Sequence, residues 1–274
     1  MASSYLELQV GLVKLTWPQG KTEAITAEDK VSTCDFVGAN LFKDISISLN
    51  GSVVTPSYGN SLYENYIKLR TQVPEVALTK WAQCGFFGDK SQTQADPSAA
   101  AGDPGVKARY ARYGLGEKNK IYIPILTGIA SQLRALPSLL PMKIVFSKGP
   151  IGWRVLKPSG AAETYDLRIY DAVLHVRRLV LYPTKLNHLE SRIGQSAAKY
   201  YFKHSYARSF PIDTGTSSIR VPDILLCNYL PEYLTICFLE QRDYKGLDTC
   251  SNYAFQSFGL KSLYLKSGEY TCIC

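Results

Sequence analysis

Ile45-Ser46-Ile47-Ser48-Leu49-Asn50-Gly51-Ser52-Val53-Val54 alternates apolar and polar side chains up to an Asn-Gly pair and then resumes with two valines. Period-two alternation is the signature of a half-buried strand. Asn and Gly both tolerate positive φ, so the dipeptide suits a tight type I′ turn. This stretch predicts a β-hairpin, and most of the chain reads in the same terms.

Upstream, Leu6, Leu8, Val10 and Leu12 alternate with Glu7, Gln9 and Gly11 and predict a strand. Trp17-Pro18-Gln19-Gly20 reads as a turn, and residues 21–40, with Asp29, Lys30 and Ser32, as a surface connection. Downstream, Leu62, Tyr66 and Leu69 stand at helical spacing behind Ser61, a candidate N-cap with Glu64 as capping-box partner. Residues 85–119 hold eight Gly or Pro and read as one long loop, functional or disordered at that length.

Strands are expected again at Ile121–Ile123, at Met142–Phe146, and where Ala172, Leu174 and Val176 alternate and run on to Leu179-Val180-Leu181. Further strand-like runs are Arg208–Ile212, Leu234–Leu239 and Leu260–Leu265. A short helix broken at Pro137 is expected within 127–140, and Leu186, Leu189 and Ile193 mark another. Many short strands with irregular connections favour a mainly β fold, a jelly-roll β-sandwich with a few short helices. Regular βαβ alternation is missing, which argues against a doubly wound sheet.

Composition agrees. The 274 residues are 46% hydrophobic and 20% charged, enough apolar material for a core. Tyr is frequent, at 19, and Gly (20) and Pro (14) supply turns, which leans towards strands and loops. The net charge of +8 has two readings, a surface for nucleic acid or another polyanion and ordinary solubility. The spread of basic residues favours solubility. The densest excess, Lys107, Arg109, Arg112, Lys118 and Lys120, reads as a solvated loop. The start of the chain has neither basic nor apolar signal-peptide regions, and no apolar stretch approaches the roughly 20 residues of a membrane helix. The expectation is a soluble protein, made inside the cell.

Chemistry-bearing patterns are sparse. The seven cysteines, Cys34, Cys84, Cys227, Cys237, Cys250, Cys272 and Cys274, include no Cys-x-x-Cys pair and read as reduced thiols, mostly buried. His175 lies in a strand pattern, His188 on a short helix and His204 in a Tyr/Lys-rich region, none beside a Gly-x-Ser-x-Gly elbow. His188-Leu189-Glu190 lacks the second histidine of a metal hydrolase motif. Gly114-Leu115-Gly116-Glu117-Lys118 lacks a leading strand and the Gly-Lys-Ser/Thr ending of a phosphate loop. The expectation is a protein that is not an enzyme, with no catalytic, cofactor-binding or metal-binding residues. Paired carboxylates can come from distant strands, so a jelly-roll carbohydrate-binding or carbohydrate-active module stands as the rival class.

Segments in order along 41–265 resemble the hexon-type major capsid protein of Maverick/Polinton elements and the related adintoviruses. Leu41-Phe42-Lys43-Asp44 leading through the opening stretch to Val54 looks like that family's strand with its Ser-Leu-Asn-Gly turn, and Tyr63–Leu69 is similar to the helix that follows. Tyr170-Asp171-Ala172-Val173-Leu174-His175-Val176-Arg177 resembles its Asp-Ala-x-Leu-x-Val-Arg strand. Ala197–Tyr200, Ser209–Gly215, Leu230–Leu234, Asn252–Phe255, Phe258 and Leu263–Leu265 are further landmarks.

The resemblance implies a double jelly-roll, with residues 1–183 as the first roll and 184–274 as an incomplete second one. It implies a structural capsid role without catalysis. The chain would form homotrimers that meet neighbouring capsomers and a minor, penton-type capsid protein, with non-specific contact to packaged DNA, in a virion assembled inside the host cell. Family members are longer, and Thr271-Cys272-Ile273-Cys274 does not continue their pattern. The chain is therefore expected to be a gene fragment, a decayed integrated copy or a shortened paralogue. A host-retained relative with a binding role is a further alternative.

Overall fold

A computed structural model describes residues 4–16, 21–55, 61–72, 79–88, 103–125, 128–130, 134–137, 140–196, 198–203, 205–222, 231–267 and 270–273. The architecture is mainly β, several antiparallel sheets with a few short helices. The strands are β1 (Tyr5–Thr16), β2 (Lys21–Glu23), β3 (Ser32–Thr33), β4 (Phe42–Leu49), β5 (Ser52–Thr55), β6 (Asn119–Pro124), β7 (Met142–Lys148), β8 (Val155–Leu156), β9 (Thr164–His175), β10 (Tyr264–Ser267) and β11 (Tyr270–Ile273). The helices are α1 (Val37–Asn40), α2 (Ser61–Gln72), α3 (Pro104–Tyr113), α4 (Pro183–Gln195) and α5 (Gln241–Tyr244).

β1 is the spine. Its alternation sends Leu6, Leu8, Val10 and Leu12 inward, none more than 5% exposed. One edge of β1 pairs with β6 and, further along, with β2, while the other pairs with β9 along nearly its whole length. Between Gln9 and Val10 the β9 register slips, because Gln9 faces Asp171 and Val10 faces Ile169. Tyr170 is thus the extra residue of a β-bulge, a device that re-aims side chains.

The hairpin forms as the Asn-Gly turn requires. Leu49 pairs with Ser52, and Asn50 and Gly51 take φ of 48° and 81°. β4 also pairs with β7, giving a three-stranded sheet β5-β4-β7. Phe42 and Ile45 from β4 join Leu8, Val10, Ile121, Ile123 and Leu167 in one core, with Ile144 and Phe146 of β7 packed on it. Two antiparallel sheets sharing one apolar interior are consistent with a β-sandwich.

α2 forms at its expected place and buries Leu62, Tyr66 and Leu69 in a second, aromatic cluster with Phe36, Phe86, Trp153 and Tyr253. The expected capping of α2 cannot be followed at Ser61, whose side chain lies outside the described residues, and Glu64 accepts from Lys68 Nζ at 2.6 Å. The chain comes back to this cluster late: Tyr253 stacks on Tyr66 at 3.7 Å, and Asn252 Nδ2 donates to the Gly152 carbonyl at 2.7 Å. Gly246 runs so close to Trp153 and Gly152 that neither glycine has room for a Cβ.

Several expectations are corrected. Residues 31–42 are core rather than surface, with Val31, Ser32, Val37 and Leu41 all fully buried. Some of their polar side chains pair internally, as where Asn40 Nδ2 donates to the Asp35 carbonyl. The long loop 85–119 contains α3: Asp103 caps it by accepting from Gly105 N, and Pro104 starts it. Pro at the first helical position lacks only a donor that would be unpaired anyway. Residues 89–102 of that loop, the turn at 17–20 and His204 lie outside the described residues. Within 127–140 the described residues hold a single 3-10 turn, Gly128–Ala130. β9 starts earlier than expected and ends at His175, so 176–181 is not strand. Residues 208–212 and 234–239 are not strands either, and in 260–265 only the last two residues are. Apart from Tyr264 and Leu265, the apolar β-formers of these runs have no ladder partner among the described residues, and strand propensity is expressed only on a pleated, half-buried surface.

Candidate functional site

Of the three histidines, His204 lies outside the described residues, and His175 and His188 stand on separate elements. His175 Nε2 lies 3.0 Å from Glu7 Oε2, and its ring stacks on Tyr5 at 4.5 Å. Lys120 Nζ donates to the other Glu7 oxygen at 2.7 Å. That bond, seconded by His175 and opposed by partial desolvation, holds the Glu7 carboxyl below its usual range. The trio is a cross-strand polar lattice on the outer face of β6, β1 and β9. His188 stands exposed on α4. Among the described residues no three His, Cys, Asp or Glu side chains gather as metal ligands.

Gly114 caps the end of α3, its N–H bonding to the Tyr110 carbonyl, and Gly116 follows with φ of 71°. The glycine pair is a helix exit leading into β6, the reverse of a strand-to-helix phosphate loop. Of the cysteines, Cys34 and Cys84 are buried thiols, Cys250 is half-buried and Cys237 exposed. Burial pushes the Cys84 thiol up to about 12. Burial and then the neighbouring Asp243 do the same for Cys250, also to about 12. Both stay protonated near neutrality, whereas the thiolate is the nucleophile. A hollow beside Phe36, Phe42, Asn65 and Ile123 measures about 10 Å³, room for about one water molecule.

The basic run is not a solvated loop. Arg109 is fully buried, its Nε donating to the Thr33 carbonyl at 2.9 Å and its Nη1 3.5 Å from Asp35. Asp35 in turn accepts from the backbone N–H groups of Phe36 and Phe87. Arg112 donates to the Ala82 and Lys120 carbonyls. Lys120 is tied to Glu7, and Lys118 stands over the Tyr170 ring at 4.5 Å.

What remains open is apolar. Among the described residues, all but four of the exposed large apolar side chains lie at or beyond Tyr170, while every buried one except Tyr253 and Ala254 precedes it. The change falls within β9. Leu6 and Leu8 are covered, yet Leu174 and Ala172, directly opposite them on the same sheet face, are exposed. Beyond them Leu179 is 64%, Tyr182 82% and Val180 92% exposed. No residue of α4 is buried, and its Leu186 and Leu189 face outward uncovered. Ile236 is 41% exposed, and Phe238, Leu263 and Leu265 are half-buried. The β9 edge away from β1 carries no strand among the described residues.

This surface was only partly legible in the sequence. The apolar runs are visible there, but nothing in alternation alone says whether the face they form is covered. No protein-family model, curated protein or solved structure matches the chain. No helix among the described residues is long and apolar enough to cross a membrane.

Proposed function

We propose that the protein is a structural assembly subunit, a hexon-like major capsid protein of the Maverick/Polinton kind, built as a double jelly-roll and working as a homotrimer. The observation that carries the assembly role is the uncovered apolar surface running from Leu174 through Leu189, beside the edge of β9 that carries no strand among the described residues. Monomeric soluble proteins rarely leave so much contiguous apolar side chain in water, and a free edge strand invites pairing with another chain. In a closed three-fold ring each copy sets one part of this surface against a different part of its neighbour, so three copies cover it and leave no open end.

In this reading residues 1–183 form the first roll, and residues 184–274 belong to the second, docked on the first through residues 241–255. The virion is the place of action, with neighbouring capsomers and a penton-type protein as partners. A subunit of this kind works by shape, and the two buried guanidinium groups here are spent on internal pairing, Arg109 with Asp35 and Arg154 with Asp166.

Light scattering coupled to size exclusion tests the proposal. A species near three times 30.5 kDa is expected. Replacing Leu179 and Val180 together by Asp should shift it to monomer without loss of the far-ultraviolet β signal. A wild-type protein that stays monomeric at concentrations of about 100 µM would overturn the assembly reading, since that is far above the Kd of a standard specific interface.

A further inference from the structure

The outer face of the β6-β1-β9 sheet carries a feature that assembly does not use. Tyr170, the bulged residue of β9, is 39% exposed. Its ring edge rests over Gly11, where an added Cβ would come within 3.2 Å of Tyr170 Cε2. Lys118 Nζ lies 4.5 Å and Arg168 Cζ 5.6 Å from the centroid of this one ring. Neither cation has a carboxylate partner among the described residues, and Arg168 makes only a long 3.4 Å bond to Thr22 Oγ1. Along the same face stand Lys120, Tyr122, Tyr5 and His175, with Tyr5 packed edge-on to Tyr122 and stacked on His175.

Two unneutralised cations pre-ordered at one exposed ring are an uncommon use of charge. Surface cations usually stay solvated or find carboxylates, as Lys120 does with Glu7. Here the ring's negative face holds them instead, which leaves their donors free. A phosphodiester supplies the missing negative charge, and a base beside it has an aromatic surface to meet. Cationic grooves with interleaved aromatics on an open sheet are how sequence-tolerant single-strand binders work.

We infer that Lys118, Arg168 and Tyr170 form a binding site for single-stranded nucleic acid, the two cations holding phosphates and the tyrosine taking a base. Ile169 pairs with the inward Val10 and packs on the core, so Tyr170 alternates outward, and the bulge leaves Asp171, opposite Gln9, on that same outer face beside it. The carboxylates of Glu7, Glu117 and Asp171 nearby limit the site to a short stretch of strand. They also argue against a broad sulfated-glycan surface, which has no use for the ring.

Fluorescence anisotropy with a labelled 20-nucleotide oligothymidylate, run on the intact protein at several salt concentrations, reads this directly. Lys118→Ala with Arg168→Ala should weaken binding and flatten the dependence of log K on log salt by about 1.4, at about 0.7 per lost single-strand phosphate contact. Tyr170→Leu should lower affinity about 5- to 150-fold with the slope kept, the range for losing one stacked base. Tyr170→Phe should bind like wild type. Lys185→Ala with Arg192→Ala, two cations on α4, should change nothing. Each variant is first matched to wild type by circular dichroism and thermal unfolding. Equal affinity and slope in the Lys118/Arg168 double variant would overturn the site. So would an equal loss in the α4 control, or heparin competing fully while Tyr170→Leu is silent, since either result leaves only unspecific charge.

Discussion

Asp35 is the residue whose removal should be felt furthest. Its carboxylate lies at 3% side-chain exposure against Arg109, which is at 0%. One oxygen accepts from Phe36 N at 2.9 Å and from Phe87 N at 2.8 Å. It therefore ties together the turn before α1, the 86–87 segment and α3. Asp35→Ala leaves a guanidinium buried without its counter-charge and two backbone donors without an acceptor. Stripping one partner from a buried ion pair costs about 3–5 kcal/mol, out of a typical total stability of about 5–15 kcal/mol.

With a urea m-value of about 2 kcal/mol/M, that loss moves the unfolding midpoint down by about 2 M. Urea titration followed by far-ultraviolet circular dichroism measures it. Asp35→Asn keeps an oxygen acceptor for the two N–H groups and should fall between Ala and wild type. Arg109→Met with Asp35→Ala should recover part of the single-variant loss, because no buried charge is then left alone. An Asp35→Ala midpoint within about 0.5 M of wild type, equivalent to about 1 kcal/mol, would refute the reasoning. So would strict additivity in the double-variant cycle.

Tyr253 anchors the returning segment, with its ring on Tyr66 and its hydroxyl bonded to Asn40 Oδ1. Tyr253→Phe should cost about 1–3 kcal/mol for the unpaired acceptor and Tyr253→Ala about 3–5 kcal/mol, the latter with faster proteolytic cutting within 241–255; an Ala variant as stable and as protease-resistant as wild type would count against the anchor. Glu7 supplies a pH test: a carboxyl held below its usual range by Lys120 stabilises the fold above the unfolded value of about 4.3 and loses that contribution as pH falls through the lower folded value. The melting-temperature gap between wild type and Glu7→Gln should therefore be present at pH 7 and close towards pH 3, and a gap unchanged over that range would remove the bond's role.

The sequence was most readable where local and tertiary preferences coincide. Asn50-Gly51 needs positive φ at both positions, and the turn that accepts them is the turn that joins β4 to β5. The alternation of Leu6 to Leu12 and the spacing of Leu62, Tyr66 and Leu69 were readable for the same reason, since each pattern's period matches a face that is in fact buried. Prolines and glycines misled in 103–116. Pro104 and Gly114 count as loop formers by composition, yet here they start and end α3. Arg109 misled too, because a lone arginine in a basic run gives no hint that Asp35, far off in sequence, waits for it in the interior. The Lys118, Arg168 and Tyr170 cluster was out of reach for a similar reason: it exists only once β9 lies beside β1 and the chain leaving α3 brings Lys118 over the Tyr170 ring.

The runs that failed to become strands point the same way as the exposed surface. Arg208–Ile212 and Leu234–Leu239 have the composition of sheet residues and sit uncovered, with Phe210, Ile212, Leu234 and Ile236 all exposed. A strand without a neighbour leaves its N–H and C=O groups to water and gains nothing from its apolar face. Up to Ile169 the chain has neighbours, and its alternating residues fill an interior. From Tyr170 onward it has the same kind of residues, and among the described ones the segment around Tyr253 and the lone Phe202 find a place in the packed clusters. β9 belongs to both regimes, covered before its bulge and open after it. Any partner that covers Ala172 and Leu174 would thus extend the face of Leu6 and Leu8, making the interface a continuation of the core. That geometry ties assembly to folding: variants that loosen β1 or β9 should weaken association as well, and covering the open face should raise the stability of the sheet beneath it.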